Sequence, residues 1–206
     1  MAYSEEERKI KKRQILNATA ALLVEKEYQQ IAVREIAEKL TISKGTLYNF
    51  FTSKEDIFLA LYKVELESWL QELALVFTSG DSLEEILREF VHKHCQRHLF
   101  IKLMTCLNTV LEINLDSDVL RDFKFYLLEQ VQLVAEKLDA GQSPVSGEDF
   151  GPFIIHYTAH FNGIYLMGRR SPNLLEVLKR HPELKVFAPE LNQEMTTYVL
   201  RYFKLM

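Results

Sequence analysis

Residues 43–54, SKGTLYNFFTSK, place polar and apolar side chains on different sides of one short helical stretch. Leu47 and Phe50 are three positions apart, so on a helix they share a side that can face a core. The other side carries the hydrogen-bonding groups of Lys44, Thr46, Tyr48 and Asn49. The chemistry that this set can perform is non-covalent recognition, because a polar helix about two turns long has the right size to lie in a DNA major groove.

The preceding sequence predicts the helices that hold this segment. Apolar residues that recur at spacings of three and four predict a first helix over 5–26 and a second over Val33–Leu40. Ser43 is a natural N-cap for a third helix that ends at Phe50 or Phe51. Two short helices joined by a turn, with the small Ala37 where the axes cross, are typical of a helix-turn-helix.

The rest of the chain is also predicted to be helical. Thr52 and Glu55 match a capping box that opens a long fourth helix, which continues to Phe77. The later predicted helices are Leu83 to about His98, a segment to about Ile113, Asp118–Leu138, Asp149 or Pro152 to Gly168, a short one between Pro172 and Pro182, and a last one from Pro189. All five prolines lie in the last third of the chain, which leaves residues 1–143 without the strongest helix breaker. The predicted fold class is all-α.

Composition restricts the class of protein. The 206 residues are 48% hydrophobic and 26% charged, as expected for a globular chain with a sizeable core. The two cysteines, Cys95 and Cys106, show neither a disulfide framework nor zinc spacing, and the N-terminus is charged where a signal peptide is apolar. These features indicate a cytoplasmic protein. The uncharged run 150–168 has the length of a membrane span, but polar residues recur on every turn, which favours a helix buried in protein.

Charge is distributed unevenly along the chain. Residues 8–54 contain ten Lys or Arg against four Glu, whereas residues 55–206 contain fifteen against twenty-two acidic residues. The basic N-terminal part is the candidate for binding a polyanion. A solvated basic helix face is the alternative interpretation of this charge run.

The run RQILNATAALLVEKEYQQIAVREIAEKLTISKGTLYNFFTSKEDIF, residues 13–58, resembles the DNA-binding domain of the TetR (tetracycline repressor) family of bacterial regulators. The stretch IAEKLTISKGTLYNFFTSKE is the most specific part. The resemblance implies an all-helical homodimer, usually a repressor that leaves its operator when a small molecule fills a C-terminal pocket. It also implies a three-helix helix-turn-helix DNA-binding domain over 1–54 and a helical effector-binding and dimerisation domain over 55–206. The chain departs from the family pattern at Glu27, Ala32, Val33 and Thr41, and Thr41 is expected at a positive φ.

The resemblance assigns roles to residues of the first domain. Lys54 and Tyr48 are expected to hold phosphates. Arg34, Lys44 and Thr46 are the candidates for contacts to base edges, with Arg34 on guanine and Thr46 on a thymine methyl group, and a phosphate contact is the alternative for each. Gly45 is expected to let the backbone approach DNA closely. The expected DNA-binding set is Arg34, Ser43, Lys44, Gly45, Thr46, Tyr48, Asn49 and Lys54. The basic residues Lys9, Lys11, Lys12 and Arg13 either reach the DNA backbone or minor groove or form a solubilising segment.

Residues 150–168 carry two rows at helical spacing. The aromatic row is Phe153, Tyr157, Phe161 and Tyr165. The smaller row, with residues of the last helix, is expected to form a four-helix dimer interface. This expected interface comprises Ile155, Ala159, Gly163, Leu166, Leu191, Met195, Tyr198 and Tyr202. The candidate ligand pocket is Trp69, Leu73, Phe90, Met104, Asn108, Phe125, Tyr126, Phe161 and Tyr165, although an aromatic stripe is more often plain core.

A metal-responsive regulator is the alternative function. His94 and His98 are four residues apart, as are His156 and His160, and this spacing can hold a metal on one helix face. No cofactor is otherwise expected. The sequence shows no Gly-rich phosphate loop, nucleophile elbow or H-E-x-x-H motif, so we do not expect an enzyme.

Overall fold

The computed structural model describes residues 4–169 and 171–206, and within them every regular element is a helix, which confirms the all-α fold class. The α-helices are α1 (Glu5–Glu25), α2 (Val33–Lys39), α3 (Lys44–Tyr48), α4 (Lys54–Phe77), α5 (Leu83–Gln96), α6 (His98–Cys106), α7 (Glu112–Asn114), α8 (Ser117–Ala140), α9 (Gly147–Gly168), α10 (Pro172–Arg180) and α11 (Leu191–Tyr202). A π-helical segment, Leu107–Leu111, joins α6 to α7, and 3₁₀ segments lie at Tyr28–Gln30 and Pro182–Phe187.

The helix-turn-helix forms around one capped turn. Ser43 has extended dihedral angles and its hydroxyl accepts from the Thr46 amide at 3.0 Å, so it is the N-cap of α3 as predicted. Thr41 adopts the expected positive φ of 55°, which a β-branched residue tolerates poorly. Leu47 is fully buried and Phe50 is 6% exposed, so the apolar side of the segment faces a core. α3 itself is shorter than predicted, because it ends at Tyr48.

Several further helix boundaries differ from the prediction by one or more residues, among them those of α4, α9 and α5. α4 is capped by Ser53, whose hydroxyl accepts from the Asp56 amide at 3.0 Å, so the predicted Thr52–Glu55 box is wrong by one residue. α9 begins earlier than predicted, at Gly147, because the Ser146 hydroxyl accepts from the Asp149 amide at 3.1 Å. α5 ends at Gln96, two residues before the predicted end.

The chain divides into two compact units. Unit 1 comprises residues 1–68 and 98–125, in which α1 packs on α2 and α6, and α2 packs on α3. Its core contains large side chains with no exposed surface, among them Phe58, Phe100 and Phe123. The Tyr62 ring lies against two of them, with centroids 5.7 Å from Phe100 and 5.8 Å from Phe123. The unit that contains the basic helix-turn-helix therefore has a largely aromatic core.

Unit 2 comprises residues 69–97 and 126–206, and in it α11 packs on α5 and α9. The three buried members of the aromatic row on α9, Phe153, Tyr157 and Phe161, have no exposed surface. The ring of Phe90 on α5 lies 4.6 Å from the Tyr157 ring and 6.0 Å from the Phe153 ring. Since α4 supplies buried side chains to both units, it belongs to the core of each.

Candidate nucleic-acid interface and effector unit

The outward side of α3 presents a small polar surface. Lys44 and Asn49 are exposed, and Tyr48 keeps 40% of its surface accessible. The Lys44 ammonium lies 5.6 Å from the Tyr48 ring centroid, so the two side chains occupy one face. Thr46 is half-buried and its hydroxyl lies 2.8 Å from that of Ser43. The capping pair thus orients the Thr46 methyl group as well as the helix start.

The surroundings of Gly45 would accommodate a larger side chain. A Cβ added at Gly45 would meet only the Ser43 hydroxyl oxygen, at an ordinary contact distance of 3.7 Å. The residue has no unusual positive φ, so neither packing nor backbone geometry within the chain requires glycine here. A glycine in a helix costs about 1 kcal/mol relative to alanine. The contacts described for the chain therefore give no reason for a glycine at this position.

Arg34 lies in the first turn of α2 and points outward. Its side chain is 79% exposed, and its Nε lies 3.2 Å from a Glu38 carboxylate oxygen one turn later. The N-cap position before it is Ala32, which has no side-chain oxygen. Glu35 makes only the reciprocal half of a capping box: its carboxylate accepts from the Ala32 amide at 2.8 Å, and it also pairs with Lys26. The bond from Ala32 is the main cause that lowers the pKa of Glu35.

Lys54 points into unit 1 instead of away from it. Its ammonium donates to the Tyr28 carbonyl oxygen at 2.6 Å and lies 3.8 Å from the centroid of the Tyr28 ring. Burial lowers the pKa of Lys54, and the Tyr28 hydroxyl donates to the neighbouring Glu55 carboxylate at 2.7 Å. Lys54 is therefore bonded within the chain, and the phosphate contact expected of it requires these bonds to be given up.

Sequence reasoning missed Arg8. Its guanidinium donates to the Asn49 carbonyl oxygen at 3.0 Å, across forty-one positions of sequence. Since no local pattern links these two positions, only the folded chain shows that the start of α1 contacts the end of α3.

Unit 2 brings part of the candidate pocket together as a packed aromatic cluster. His94 is completely buried, its ring lies 4.8 Å from Trp69, and its Nδ1 lies 2.8 Å from the Tyr157 hydroxyl. The Phe161 ring stacks on it at 4.2 Å. Burial in this apolar setting lowers the pKa of His94 to about 3. We call Trp69, Phe90, His94, Tyr157 and Phe161 the aromatic cluster.

The other candidate pocket residues do not join this cluster uniformly. Leu73 is 2% exposed in unit 2, and Tyr126 and Tyr165 are half-buried there. Met104, Asn108 and Phe125 belong to unit 1, where Met104 is buried, Asn108 is exposed and Phe125 is 65% exposed. A surface groove of about 780 Å³ between α4 and α5 contains none of the nine candidates.

The two rows on α9 separate as their spacing predicts. Ile155 is 67% exposed and Leu166 is 44% exposed, and Ala159 and Gly163 between them are exposed too. A Cβ added at Gly163 would meet nothing within 4 Å, so this face has room for a close neighbour. On α11, the half-buried residues of the expected interface are Leu191, Tyr198 and Tyr202. Met195 is fully buried inside unit 2, so its surface is already covered within the chain.

The histidines are not arranged as a metal site. His94 and His98 fall on different helices, because Arg97 leaves helical geometry between α5 and α6, so the premise of one shared helix is wrong. The rings of His160 and His156 instead lie against Tyr198 and Tyr202, with centroids 4.1 and 6.1 Å apart. Over 4–169 and 171–206 there is no group of three or more His, Cys, Asp or Glu side chains suited to a metal ion.

In the same described ranges, no helix combines the length and the apolar character that crossing a bilayer requires.

Comparison with known proteins agrees with this architecture. Residues 15–61 match the family model "Bacterial regulatory proteins, tetR family", and residues 63–203 match "Tetracyclin repressor-like, C-terminal domain". These two matches cover most of the chain, which therefore belongs to the TetR family of DNA-binding transcriptional regulators. Members of this family bind operators as homodimers and respond to small molecules.

Individual relatives are more distant. The chain is 28% identical over 81 residues to the "Fatty acid metabolism regulator protein" of Bacillus subtilis (strain 168). The aligned segment covers 39% of this chain and 42% of that protein. It is 33% identical over 80 residues to the "Transposon Tn10 TetC protein" of Escherichia coli, covering 37% of this chain and 41% of that protein. The matched segments thus span less than half the length of either relative.

Solved structures resemble the chain over nearly its whole length. A putative TetR-family regulator from Mesorhizobium loti has a TM-score of 0.51 at 18% identity, covering 97% of this chain and 98% of that one. The reduced form of E. coli NemR has a TM-score of 0.53 at 16% identity, covering 92% and 96%. At these identities the likeness concerns the fold.

Proposed function

We propose that this chain is a repressor that binds a palindromic operator as a homodimer and is released by a small, largely apolar molecule. The observation that carries the DNA part is the exposed side of α3, where Lys44, Tyr48 and Asn49 surround a Gly45 that the fold itself does not require. The exposed Arg34 at the start of α2 supplies a guanidinium of the kind that pairs with guanine O6 and N7.

Within this proposal the residues divide by role. Ser43 caps the recognition helix and orients Thr46 towards a thymine methyl group. Lys44, a base-edge candidate from the sequence, is here assigned with Tyr48 to phosphates, because its ammonium lies beside the Tyr48 ring. Gly45 admits the DNA backbone. Lys54 fixes the start of α4 through Tyr28 in the DNA-free chain, and its phosphate contact is formed only if the ammonium turns outward.

The proposed dimer forms through the exposed row on α9 together with the half-buried tyrosines of α11. Ile155 and Leu166 offer apolar surface that the described residues leave partly uncovered, and Gly163 lets a second helix approach closely. An isologous contact of this kind places two recognition helices in a symmetric pair, which requires an inverted repeat in the operator.

The proposed effector site is the aromatic cluster of unit 2, which must open to admit a ligand. Trp69, Phe90 and Phe161 supply apolar ring faces, and the His94–Tyr157 pair is a buried polar group that can orient a ligand. Since Trp69 is the single tryptophan of the chain, its fluorescence reports binding at this site directly.

Helix α4 is the proposed lever between effector and operator. It places Phe58 and Tyr62 in the core of unit 1 and Trp69 and Phe77 in the core of unit 2. A ligand that displaces Trp69 would tilt α4 and so change the separation of the two recognition helices. Linkage makes the effect reciprocal: the factor by which ligand weakens operator binding, typically about 5- to 150-fold, equals the factor by which operator weakens ligand binding.

The first test is binding to the DNA that flanks its own gene, measured by fluorescence anisotropy. We expect specific binding that the Lys44→Ala/Asn49→Ala double variant loses. The matched control is Lys137→Ala, an exposed lysine on α8 in unit 2, which should bind as the unmodified protein does. Equal losses in both variants, or equal binding by all three proteins, would contradict the assignment of α3 as the recognition helix.

The second test uses an effector found by screening apolar molecules for a change in Trp69 fluorescence. Operator affinity is then measured with and without the effector, and effector affinity with and without operator. An effector that binds with the same affinity in the presence and in the absence of operator would contradict the proposed coupling through α4.

A further inference from the structure

One face of the first turns of α1 contacts the end of the recognition helix. Arg8 donates to the Asn49 carbonyl oxygen at 3.0 Å, and its guanidinium lies 5.3 Å from the centroid of the Phe50 ring. One turn later, the Lys12 ammonium lies 5.5 Å from the centroid of the Phe51 ring. The spacing of four places Arg8 and Lys12 on the same side of α1, so both contacts come from a single helix face.

The segment that Arg8 contacts is the C-terminal end of α3, whose carbonyl groups have no cation from α3 itself. α3 has five residues and no basic residue in its last turn, so no cation of its own interacts with its C-terminal carbonyl groups. The chain leaves the helix through Phe50 and Phe51, whose amides both bond to the Leu47 carbonyl oxygen, at 2.9 and 3.3 Å. A cation placed at a helix C-terminus satisfies carbonyl groups there and complements the helix dipole.

The start of α1 is itself fixed by a local motif. The Ser4 amide donates to the Glu7 carboxylate at 2.7 Å, and the Glu7 amide donates to the Ser4 hydroxyl at 3.2 Å, which forms a reciprocal capping box. This box keeps residues 5–8 helical beyond the part of α1 that carries its buried residues, the first of which is Ile15. Arg8 is thereby held on a rigid element next to Asn49.

We infer that Arg8 is a positioning residue for operator binding: it caps the C-terminal end of α3 and fixes the orientation of Tyr48 and Asn49, instead of binding a DNA phosphate. The inference rests on the proposed function, since it concerns the same interface. It separates Arg8 from the neighbouring basic residues. Lys9, for example, is exposed and pairs only with Glu5 on its own helix, at 3.2 Å, among the contacts described for it.

Hydrogen exchange in the DNA-free protein tests the cap itself. Arg8→Gln should speed exchange of the Phe50 and Phe51 amides by about threefold, because the end of α3 frays when its cap weakens. Arg8→Lys keeps a cation that can reach the same carbonyl group, so it should restore part of the protection. Lys9→Gln removes an equal charge from the adjacent position and should leave both amides unchanged. Unchanged exchange in Arg8→Gln would overturn the inference.

Operator binding as a function of salt tests the role in recognition. The operator is obtained by selection from a randomised duplex pool. Arg8→Gln should weaken binding by about three- to tenfold with the same slope of log K against log [salt] as the unmodified protein and as Lys137→Gln, which removes an equal charge from unit 2, since a cap neutralises no phosphate. A slope reduced by about one unit relative to these two proteins would mean that Arg8 binds a phosphate, and would overturn the inference.

The exchange measurement and the binding measurement can fail independently of each other. If the unmodified protein selects no duplex at all, the proposed function is wrong, whereas the exchange measurement still reports whether Arg8 caps α3.

Discussion

The imidazole ring of His94 lies flat against the phenyl ring of Phe161, with centroids 4.2 Å apart and an angle of 13° between the planes. Its Nδ1 lies 2.8 Å from the Tyr157 hydroxyl, and its side chain has no exposed surface. Burial among rings disfavours the charged imidazolium, which is why the pKa of His94 falls from 6.5 to about 3. The aromatic cluster therefore contains a histidine that stays neutral in the folded chain.

The neutral His94 predicts a specific loss of stability in acid. Between pH 6.5 and about 3, the unfolded chain binds a proton at His94 that the folded chain does not bind, so stability falls as the pH falls. The contribution of one such group is at most about 1.4 kcal/mol for each pH unit. His94→Gln retains a group that can bond to Tyr157 but does not titrate. We expect urea unfolding of this variant to show a shallower decline below pH 6.5.

His92 provides the control for that measurement, because it is exposed on the same helix and contacts Gln96 at 2.8 Å. His92→Gln therefore shows the effect of replacing an exposed histidine on this helix. Parallel curves for all three proteins would show that His94 takes up protons in the folded state.

Replacement of Lys54 should affect the free energy of unfolding but not the salt dependence of operator binding. Lys54→Met retains the alkyl stem but removes the ammonium that bonds to the Tyr28 carbonyl group, so it should lower the free energy of unfolding by about 1 kcal/mol. The slope of operator affinity against salt should not change, since this charge is already bonded within the chain. Lys44→Met, at an exposed position on α3, should reduce the slope by about one unit. A reduced slope in Lys54→Met would show that its ammonium turns outward to DNA.

Gly45 predicts opposite effects on folding and on binding. Gly45→Ala meets no steric conflict within the chain and removes a helix glycine, so the protein should become more stable by up to about 1 kcal/mol. Operator affinity should fall by at least about tenfold, because the new methyl group separates the backbone of α3 from the DNA. Thermal unfolding and anisotropy titration measure the two effects. Unchanged affinity would remove Gly45 from the interface.

A charge introduced into the exposed row on α9 should weaken the proposed dimer. Ile155→Glu places a carboxylate on the proposed interface and should raise the dimer dissociation constant by at least about tenfold, as sedimentation equilibrium would measure. Ile113→Glu, at a residue that is 74% exposed on α7, is the matched control and should leave association unchanged. A stable dimer of Ile155→Glu would place the contact on another face.

Local sequence signals predicted most helices of this chain but could not decide between adjacent caps. Ser43 stands alone as a cap, and the start of α3 was predicted correctly. At α4, both Thr52–Glu55 and Ser53–Asp56 place a hydroxyl three residues before a carboxylate, and the sequence offers no reason to choose the second. The break at Arg97 has no glycine or proline to mark it, so α5 was predicted two residues too long and a shared face was assumed for His94 and His98.

The site was less predictable because its bonds span long sequence distances. Exposure of Lys44 and burial of Leu47 follow from helical spacing, but the contacts of Lys54 with Tyr28 and of Arg8 with Asn49 join segments that no periodicity relates. The candidate pocket had the same limitation. Trp69 and Phe161 come together, whereas Phe125 is 65% exposed in the other unit, because facing on α8 depends on which helices pack beside it.

Selection from a randomised duplex pool, followed by the mass of the purified complex, tests most directly that this chain is a dimeric operator-binding protein. The account predicts an inverted repeat whose half-sites lie about one helical turn or more apart, bound by an even number of chains. It also predicts that Arg34→Ala relaxes the preference at one base pair in each half-site at a cost of about 1 to 3 kcal/mol. Enrichment of no sequence, or of a single asymmetric site bound by one chain, would contradict it.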